Sequence, residues 1–489
     1  MNKQPNDRSE GLSSPVGRYK PELLLLAPEG GEDLNTLSFT AQCIELGLAI
    51  ELDEHWRLPT APPKELSSYK VCIFPETARA MYDRDLNAFH RDGGFVPYFK
   101  YYPLQLGGDM QSVHHYLQSY GRDVYFWTLA NVAIEGGLTP QHPDFVRTME
   151  SRSARSILQE YRDGVFAKYA ARSMKVWTSW GDPQVTFFLS NFAAARLARD
   201  AQWKELVDWL FQKLIDSKEE ALSTRGQEVQ LAGVVESNIT MMAWMILHHG
   251  VQANHQQAIA TGLELARHFS DAVELKDGLP YPRYMRYLWG ETMLHVPSYY
   301  WLGKLTGEKK YTQWADALVD RITEQNLRLS GIWHHWSDDR GNRGGAWSRG
   351  VYWAVLGLTQ SLAAMDPGSE RAQRIVEILR KTYRGLADCQ DREKKIWHLV
   401  MDEPETRVET SASAGLVFCH DRLREMGVFD TEHDEMIDRA FVGLKRLWYG
   451  GGLAASCRGT ATGVPEYYRT RPMGWYGNSL FPATVAARE

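Results

Sequence analysis

LARDAQWKELVDWL (197–210) and LTGEKKYTQWADAL (305–318) decide the fold. Each reads as the end of one apolar helix, a small polar turn, and a second helix opened by an aromatic residue. The pattern returns from about residue 145 onward, with helices predicted at 145–171, 183–198, 201–217, 237–249, 254–272, 292–306, 310–325, 350–364, 370–388, 410–426 and 432–447. Loops rich in Gly, Trp and Pro join them. Helix pairs recurring at roughly 50–60 residues are an internal repeat. Six such pairs closed in a ring give an (α/α)6 barrel whose long loops gather at one end, where a pocket forms. A stacked solenoid is the competing architecture, but its loops would carry fewer buried aromatics.

The chain upstream has a different rhythm. LLLLAP (23–28), AIELD (49–53), YKVCIFP (69–75) and FVPYF (95–99) are short apolar strands, with helices expected at 34–47 and 83–94. Strands and helices alternating at this spacing imply a small parallel sheet covered on both faces. The order of elements resembles the flavodoxin-like or glutamine-amidotransferase-like modules attached to some glycosidases. Gly30 and Gly31 lack the G-x-G-x-x-G spacing of a dinucleotide site. Cys72 lies within a strand and Cys43 within a helix, so neither sits at a nucleophile elbow. The expected organisation is a disordered lead-in at 1–19, an α/β accessory or assembly domain at 20–130, through which a homo-oligomer could form, and an all-α domain at 145–489.

Composition narrows the function. The 489 residues carry a net charge of −6, which argues against electrostatic partners such as nucleic acid or a membrane surface. The five cysteines are scattered and form no C-x-x-C pair, as expected for reduced thiols in a cytoplasmic protein. The amino-terminal segment has no apolar core like that of a signal peptide, and no run of apolar residues could span a bilayer. The unusual counts are 17 Trp and 23 Tyr, which favour carbohydrate recognition.

GIWHHWSDDRGNRGGAWSRGVYW (331–353) concentrates this chemistry, with four Trp, two His, three Arg and two Asp broken by five Gly. Flat rings cover the C–H faces of a sugar while charged groups fix hydroxyls or a carboxylate, so the mixture suits a sugar pocket. A Trp-rich turn that only packs two helices is the alternative.

Further segments in the same order extend a resemblance: VVESNITMMAW (234–244), YLWGETMLHVPSYYWLGKLTGEKKY (287–311), RVETSASAGLVF (407–418) and CRGTATGVPEYYRTRP (457–472). Together with GIWHHWSDD and GGAWSRGVYWAVLGL they resemble the unsaturated glucuronyl and rhamnogalacturonyl hydrolases, glycoside hydrolase families 88 and 105, over about residues 145–489. The resemblance implies an (α/α)6 barrel that removes a 4,5-unsaturated uronic acid from the non-reducing end of an oligosaccharide left by a polysaccharide lyase. In that family an acid protonates C4 of the enol ether, water adds at C5, and the hemiketal opens to release the rest of the chain. It implies no metal and no cofactor.

Carried over by position, the family's catalytic Asp falls on Glu291 and its second pocket Asp near Glu236. Glu keeps the acid but reaches one methylene further. The signature usually reads Arg-Gly-Asn-Gly-Trp or Arg-Gly-Gln-Ala-Trp, whereas Arg349-Gly350-Val351-Tyr352-Trp353 brings a bulky ring where a small residue stands. Glu291 also has Trp289 and His295 as neighbours, and a carboxyl among indoles has its charged form disfavoured, as a general acid needs. Its alternative role is to complement a helix dipole. Glu236 could equally belong to a cap region around Ser237 and Asn238.

Arg349 suits fork-like pairing with a uronate, or else a structural tie to Asp338, Asp339 or a helix end. His335 is a candidate hydroxyl ligand. Trp333, Trp347 and Trp353 could stack on sugar rings, with at least one of them plain core. Arg458, Tyr467 and Tyr468 lie in the tail motif that closes over the pocket in the family. Three other functions fit the same residues: hydrolysis of saturated glycosides such as glucuronides, epimerisation between His335 and His398, and carbohydrate binding without turnover.

Overall fold

The computed structural model describes residues 23–26, 50–53 and 71–73 and most of 147–489, apart from 170–181, 220–233, 282–287, 454–479 and a few shorter gaps. The chain divides into two compact units, Met1–Ser151 and Arg152–Glu489.

In the first unit β1 (Leu23–Leu26), β2 (Ile50–Asp53) and β3 (Val71–Ile73) form a parallel sheet in the order β2-β1-β3. Leu23 stands opposite Ile50 on one side and Val71 on the other. Uninterrupted apolar runs such as LLLL are what a parallel strand covered on both faces requires. The strand expected at 95–99, the helices expected at 34–47 and 83–94, and the lead-in at 1–19 lie outside the described residues.

The second unit is helical. Its helices are α1 (Ala154–Tyr169), α2 (Asp182–Leu197), α3 (Ala201–Asp216), α4 (Val234–Gln252), α5 (Gln256–Ala272), α6 (Val296–Thr306), α7 (Lys309–Asn326), α8 (Ser348–Leu362), α9 (Glu370–Cys389), α10 (Thr410–Glu425), α11 (Asp434–Arg446) and α12 (Phe481–Ala486). A 3-10 segment, Gly290–His295, leads into α6. The even-numbered helices touch in sequence, α2 to α4, α4 to α6, α6 to α8, α8 to α10 and α10 to α12, and α12 returns to α2. Each odd-numbered helix packs outside one of them, α1 on α12, α3 on α2 and so on to α11 on α10. Among the described residues these helices form a closed ring of six inside six, not a solenoid.

Side-chain pattern explains which helix goes where. Every residue of α8 is buried, because it has neighbours on both sides and an outer helix behind. The outer helix α3 buries one stripe, Trp203, Leu206, Val207, Leu210, Phe211, Leu214 and Ile215, and leaves its charged face to water. The side chain of Asp200 caps α3 by accepting from the backbone N–H of Trp203. In the same way Ser369 caps α9 through the N–H of Ala372.

The twelfth helix is the element that sequence pattern does not find. FPATVA is too short for helical periodicity and opens on a proline. It is held by tertiary contacts: the N–H of Ala483 donates to the Ser190 hydroxyl, and Arg488 pairs with both oxygens of Asp421 at 2.7 and 3.1 Å.

Inner helices run on into outer ones through short turns, such as Gly307-Glu308 after α6. The left-handed residues Arg199 (φ 51°), Asn254 (φ 52°), Gly307 (φ 76°) and Gly427 (φ 68°) cluster at this end. Outer helices return to inner ones through long segments, such as residues 327–347 ahead of α8. The ring therefore has a tight end and an elaborated one. Among the described residues no helix is long and apolar enough to cross a membrane.

Burial within the ring holds three imidazoles uncharged. It lowers the pKa of His248 and of His295 to about 3, and that of His249 to about 4. Between those values and the ordinary 6.5 the unfolded chain binds more protons than the folded one, so stability rises with pH. Lowering the pH from 7 to 5 should cost about 2 kcal/mol for each of His248 and His295. Urea unfolding measured across that interval checks this, and a flat profile would contradict it.

Candidate active site

All six inner helices begin at the elaborated end. Their first turns carry the sequence candidates. Glu236 lies in the first turn of α4, Glu291 in the 3-10 segment ahead of α6 and Arg349 in the first turn of α8; Glu409, which was not a candidate, is the N-cap of α10. Unpaired N–H groups at helix starts carry partial positive charge, so this end favours an anionic ligand.

Glycine sets the spacing between these elements. A Cβ on Gly290 would come within 2.7 Å of the Gly350 carbonyl oxygen, and one on Gly357 within 2.3 Å of the Met293 carbonyl oxygen. The 3-10 segment and α8 therefore touch backbone to backbone, which brings the main chain at Glu291 beside that at Arg349. α4 also packs on the 3-10 segment, so Glu236 and Glu291 lie on elements in contact. The Ser298 hydroxyl ties α6 to α4 through the Thr240 carbonyl at 2.8 Å.

His335 locks the junction. Its carbonyl accepts from the Gly290 N–H at 2.7 Å and its own N–H donates to the Gly345 carbonyl at 3.0 Å. A side chain at position 350 would strike its ring, since a Cβ there would lie 2.5 Å from Cδ2. The ring is fully buried and lies 4.6 Å from that of Trp347. The two-residue strands β4 (Leu288–Trp289) and β5 (Trp336–Ser337) pair antiparallel, Trp289 opposite Trp336, and carry this segment to the 3-10 turn.

Arg349 is 2% exposed and sits over the Trp347 ring. Its Nε donates to the Ser411 hydroxyl at 3.1 Å, and a terminal nitrogen lies 3.8 Å from Glu409 Oε1. Glu409 also accepts from the Ser411 hydroxyl and from the N–H groups of Ser411 and Ala412. Of the ties expected for Arg349, the one to a helix end is formed; Asp338 closes its own turn through the N–H groups of Arg340 and Asn342, and Asp339 lies outside the described residues. Hydrogen bonding by Asn342 holds Asp338 below the usual carboxylate range.

Glu409 and Ser411 are the residues that sequence reasoning left without a role. The signal was present as Glu409-Thr410-Ser411 at a helix start, where an acid that caps a buried helix can also receive a guanidinium.

Other candidates go elsewhere. Trp333 is fully buried and its indole N–H donates to the Thr382 hydroxyl of the outer helix α9, so it braces the wall from behind. Trp353 is 4% exposed and packs on Tyr352. The Tyr352 ring occupies the space left by Gly415, whose Cβ would lie 2.2 Å from it. Its bulk is thus taken up between α8 and α10. His295, at the end of the 3-10 segment, is buried. His398 has both ring nitrogens against oxygens, Nε2 at 2.9 Å from Asp391 and Nδ1 against the Thr406 carbonyl. Those contacts leave it unsuited to work opposite His335. The side chains of Glu236, Trp289 and Glu291, and all of Arg458, Tyr467 and Tyr468, lie outside the described residues.

A family model described as Glycosyl Hydrolase Family 88 matches residues 151–481, which is the ring and its loops. The chain belongs to Glycosyl Hydrolase Family 88. A curated relative, the unsaturated rhamnogalacturonyl hydrolase YesR of Bacillus subtilis (strain 168), is 30% identical over 112 residues. That match spans 22% of this chain and 30% of the relative. Solved structures share the fold of the Family 88 unit. One is a Family 105 glycoside hydrolase from C. acetobutylicum ATCC 824, with a TM-score of 0.55 at 16% identity over 68% of this chain and 98% of that one. Another is the unsaturated glucuronyl hydrolase of Bacillus sp. GL1, with a TM-score of 0.51 at 15% identity over 68% of this chain and 95% of that one.

Two substitutions test the wall of this Family 88 site. Glu409→Ala strands a buried guanidinium and uncaps α10, and should destabilise the fold by about 3–5 kcal/mol in urea unfolding. Gly290→Ala forces the 3-10 segment off α8 and should cost about 1–3 kcal/mol. Wild-type midpoints for both would show that these contacts do not bear on the fold.

Proposed function

We propose that this chain is a glycoside hydrolase that removes a 4,5-unsaturated uronic acid from the non-reducing end of an oligosaccharide by hydrating its enol ether. The observation that carries this is the backbone contact of Gly290 with Gly350, which brings the main chain at Glu291 beside that at Arg349, whose guanidinium is buried. Membership of Family 88 and the named activity of the rhamnogalacturonyl relative support it.

In this scheme Glu291 donates a proton to C4 and the cation that forms at C5 is captured by water. The conjugate base of Glu291, assisted by Glu236, takes the one proton lost by that water and is restored to its acid form. The hemiketal then opens, the bond to the leaving oxygen breaks, and the shortened oligosaccharide departs with its hydroxyl restored. The uronate carboxylate is held by the positive helix starts and by Arg349, with Arg458, Tyr467 and Tyr468 closing over it. Trp289, Trp347 and Trp353 face or back the sugar, Trp333 braces them, His335 keeps the junction rigid, and burial keeps His295 uncharged. Glu in place of Asp moves the acid about one C–C bond further into the pocket, so the sugar sits correspondingly further from α6.

The parallel order β2-β1-β3 supports a flavodoxin-like or amidotransferase-like accessory module over about 20–130, ahead of the barrel domain at 145–489. We assign it an assembly role rather than chemistry, and place the enzyme in the cytoplasm on its unpaired cysteine pattern.

Incubation with an unsaturated disaccharide should abolish the ultraviolet absorbance of the double bond. Glu291→Gln should slow that loss about 100- to 10,000-fold. Release of the aryl group from a saturated aryl glucuronide, with the unsaturated sugar untouched, would instead mean ordinary glycoside hydrolysis. Full activity in Glu291→Gln would remove Glu291 from the role of acid.

A further inference from the structure

The tight end of the ring holds a cavity of about 550 Å³ that the chemistry above does not use. Its walls are the carboxy-terminal halves of α2, α4, α8 and α10 and the first turns of α3. Along α8, Gln360 at this cavity lies about 16 Å from Arg349 at the other end of the helix. The volume is within the range of pockets that enclose a small organic molecule, roughly 300–1,000 Å³.

Its lining has the composition of a binding site rather than a packing defect. Leu189, Met245 and Phe418 make an apolar floor. Phe192 and His249 lie parallel against each other, ring centroids 3.6 Å apart and planes 11° from coplanar, and give one wall a flat aromatic element. Two buried polar side chains reach the same space. Gln360 is 3% exposed, and His248 is 8% exposed with an Nδ1 that has no hydrogen-bond partner. Leaving a buried ring nitrogen unsatisfied costs about 1–3 kcal/mol, a cost that a hydrogen-bonding ligand removes.

The rim is cationic. Arg196, Arg199, Lys204 and Arg422 line it against Asp200 and Asp208. Arg196 and Arg422 both turn to Glu425, Lys204 to Asp208, and Asp200 receives Arg162. Arg199, held in left-handed backbone at φ 51° where α2 turns into α3, is the rim cation that none of these carboxylates takes.

We propose that this cavity is a second ligand site, at the opposite end of the ring from the sugar site, for a small molecule with a flat apolar body and one anionic group. The body lies on the Phe192–His249 wall, Gln360 and His248 hydrogen-bond its polar edge, and the anion meets Arg199 at the rim. The site joins the ends of four of the six inner helices, so its occupant braces the ring where the connecting turns are shortest.

The probe is 6-hydroxy-2-naphthoate, titrated by calorimetry into the full chain, with neutral 6-hydroxy-2-naphthamide beside it. One saturable site is expected, with the carboxylate at least about fivefold tighter than the amide. Arg199→Glu should weaken 6-hydroxy-2-naphthoate by about fivefold or more and abolish its advantage over the amide. Gln360→Leu should weaken both probes while leaving turnover of the unsaturated disaccharide at the wild-type rate. The proposal is overturned by the absence of saturable binding, by binding that both substitutions leave within about twofold, or by competition from the unsaturated disaccharide, which would put the probe in the sugar site.

Discussion

Close approach of two backbones governs the elaborated end of this barrel. The 3-10 segment Gly290–His295 lies against α8 at a separation that a single added methyl group would break, at Gly290 on one side and at Gly357 on the other. No side chain intervenes, so the segment cannot drift relative to the helix as it could across a flexible hydrophobic layer. His335 then pins both partners through its carbonyl and its ring. Whatever Glu291 and Arg349 do chemically, their main-chain positions are set by this contact, and small errors in such positions are expensive for catalysis.

The buried pair Arg349–Glu409 follows from the same geometry. Two charges taken out of water are tolerated only when their hydrogen-bonding capacity is largely met. Here Glu409 meets it with the first N–H groups of α10 and the Ser411 hydroxyl, and Arg349 lies over the Trp347 face. The result is an electrostatic bridge between neighbouring inner helices at the wall of the site. An apolar pair could hold the helices as firmly but would present no field to an anionic ligand.

The site was unevenly legible. Arg349 and His335 stood out because charged and imidazole groups between tryptophans have few structural uses. Glu409 did not, because an acid at a helix start is commonly a cap, and only its proximity to Arg349 across the gap between α8 and α10 gives it a second function. Trp333 resembled Trp347 in composition, yet one reaches back to Thr382 on the outer layer and the other lies beside the site. Nothing along the chain separates them, since both flank the same polar stretch. Tyr352 looked like an obstruction to a ligand until Gly415, more than sixty positions later, was seen to receive its ring.

The cavity at the tight end had no local signature, for its lining comes from α2, α3, α4, α8 and α10 and contains no motif. What the order of residues determined unaided was the alternation of paired helices, three strands of the first unit, the polar-aromatic loop at 331–353 and the family to which the helical unit belongs. Those depend on periodicity and local composition, which act over a turn or two of helix. Closure of the ring was decided by tertiary structure alone: Phe481–Ala486 becomes helical because a gap between α2 and α10 must be filled, and Ser190 and Asp421 wait there to hold it. Six residues beginning Phe-Pro have too little intrinsic helicity to declare themselves, and they gain order only from the surface they bury.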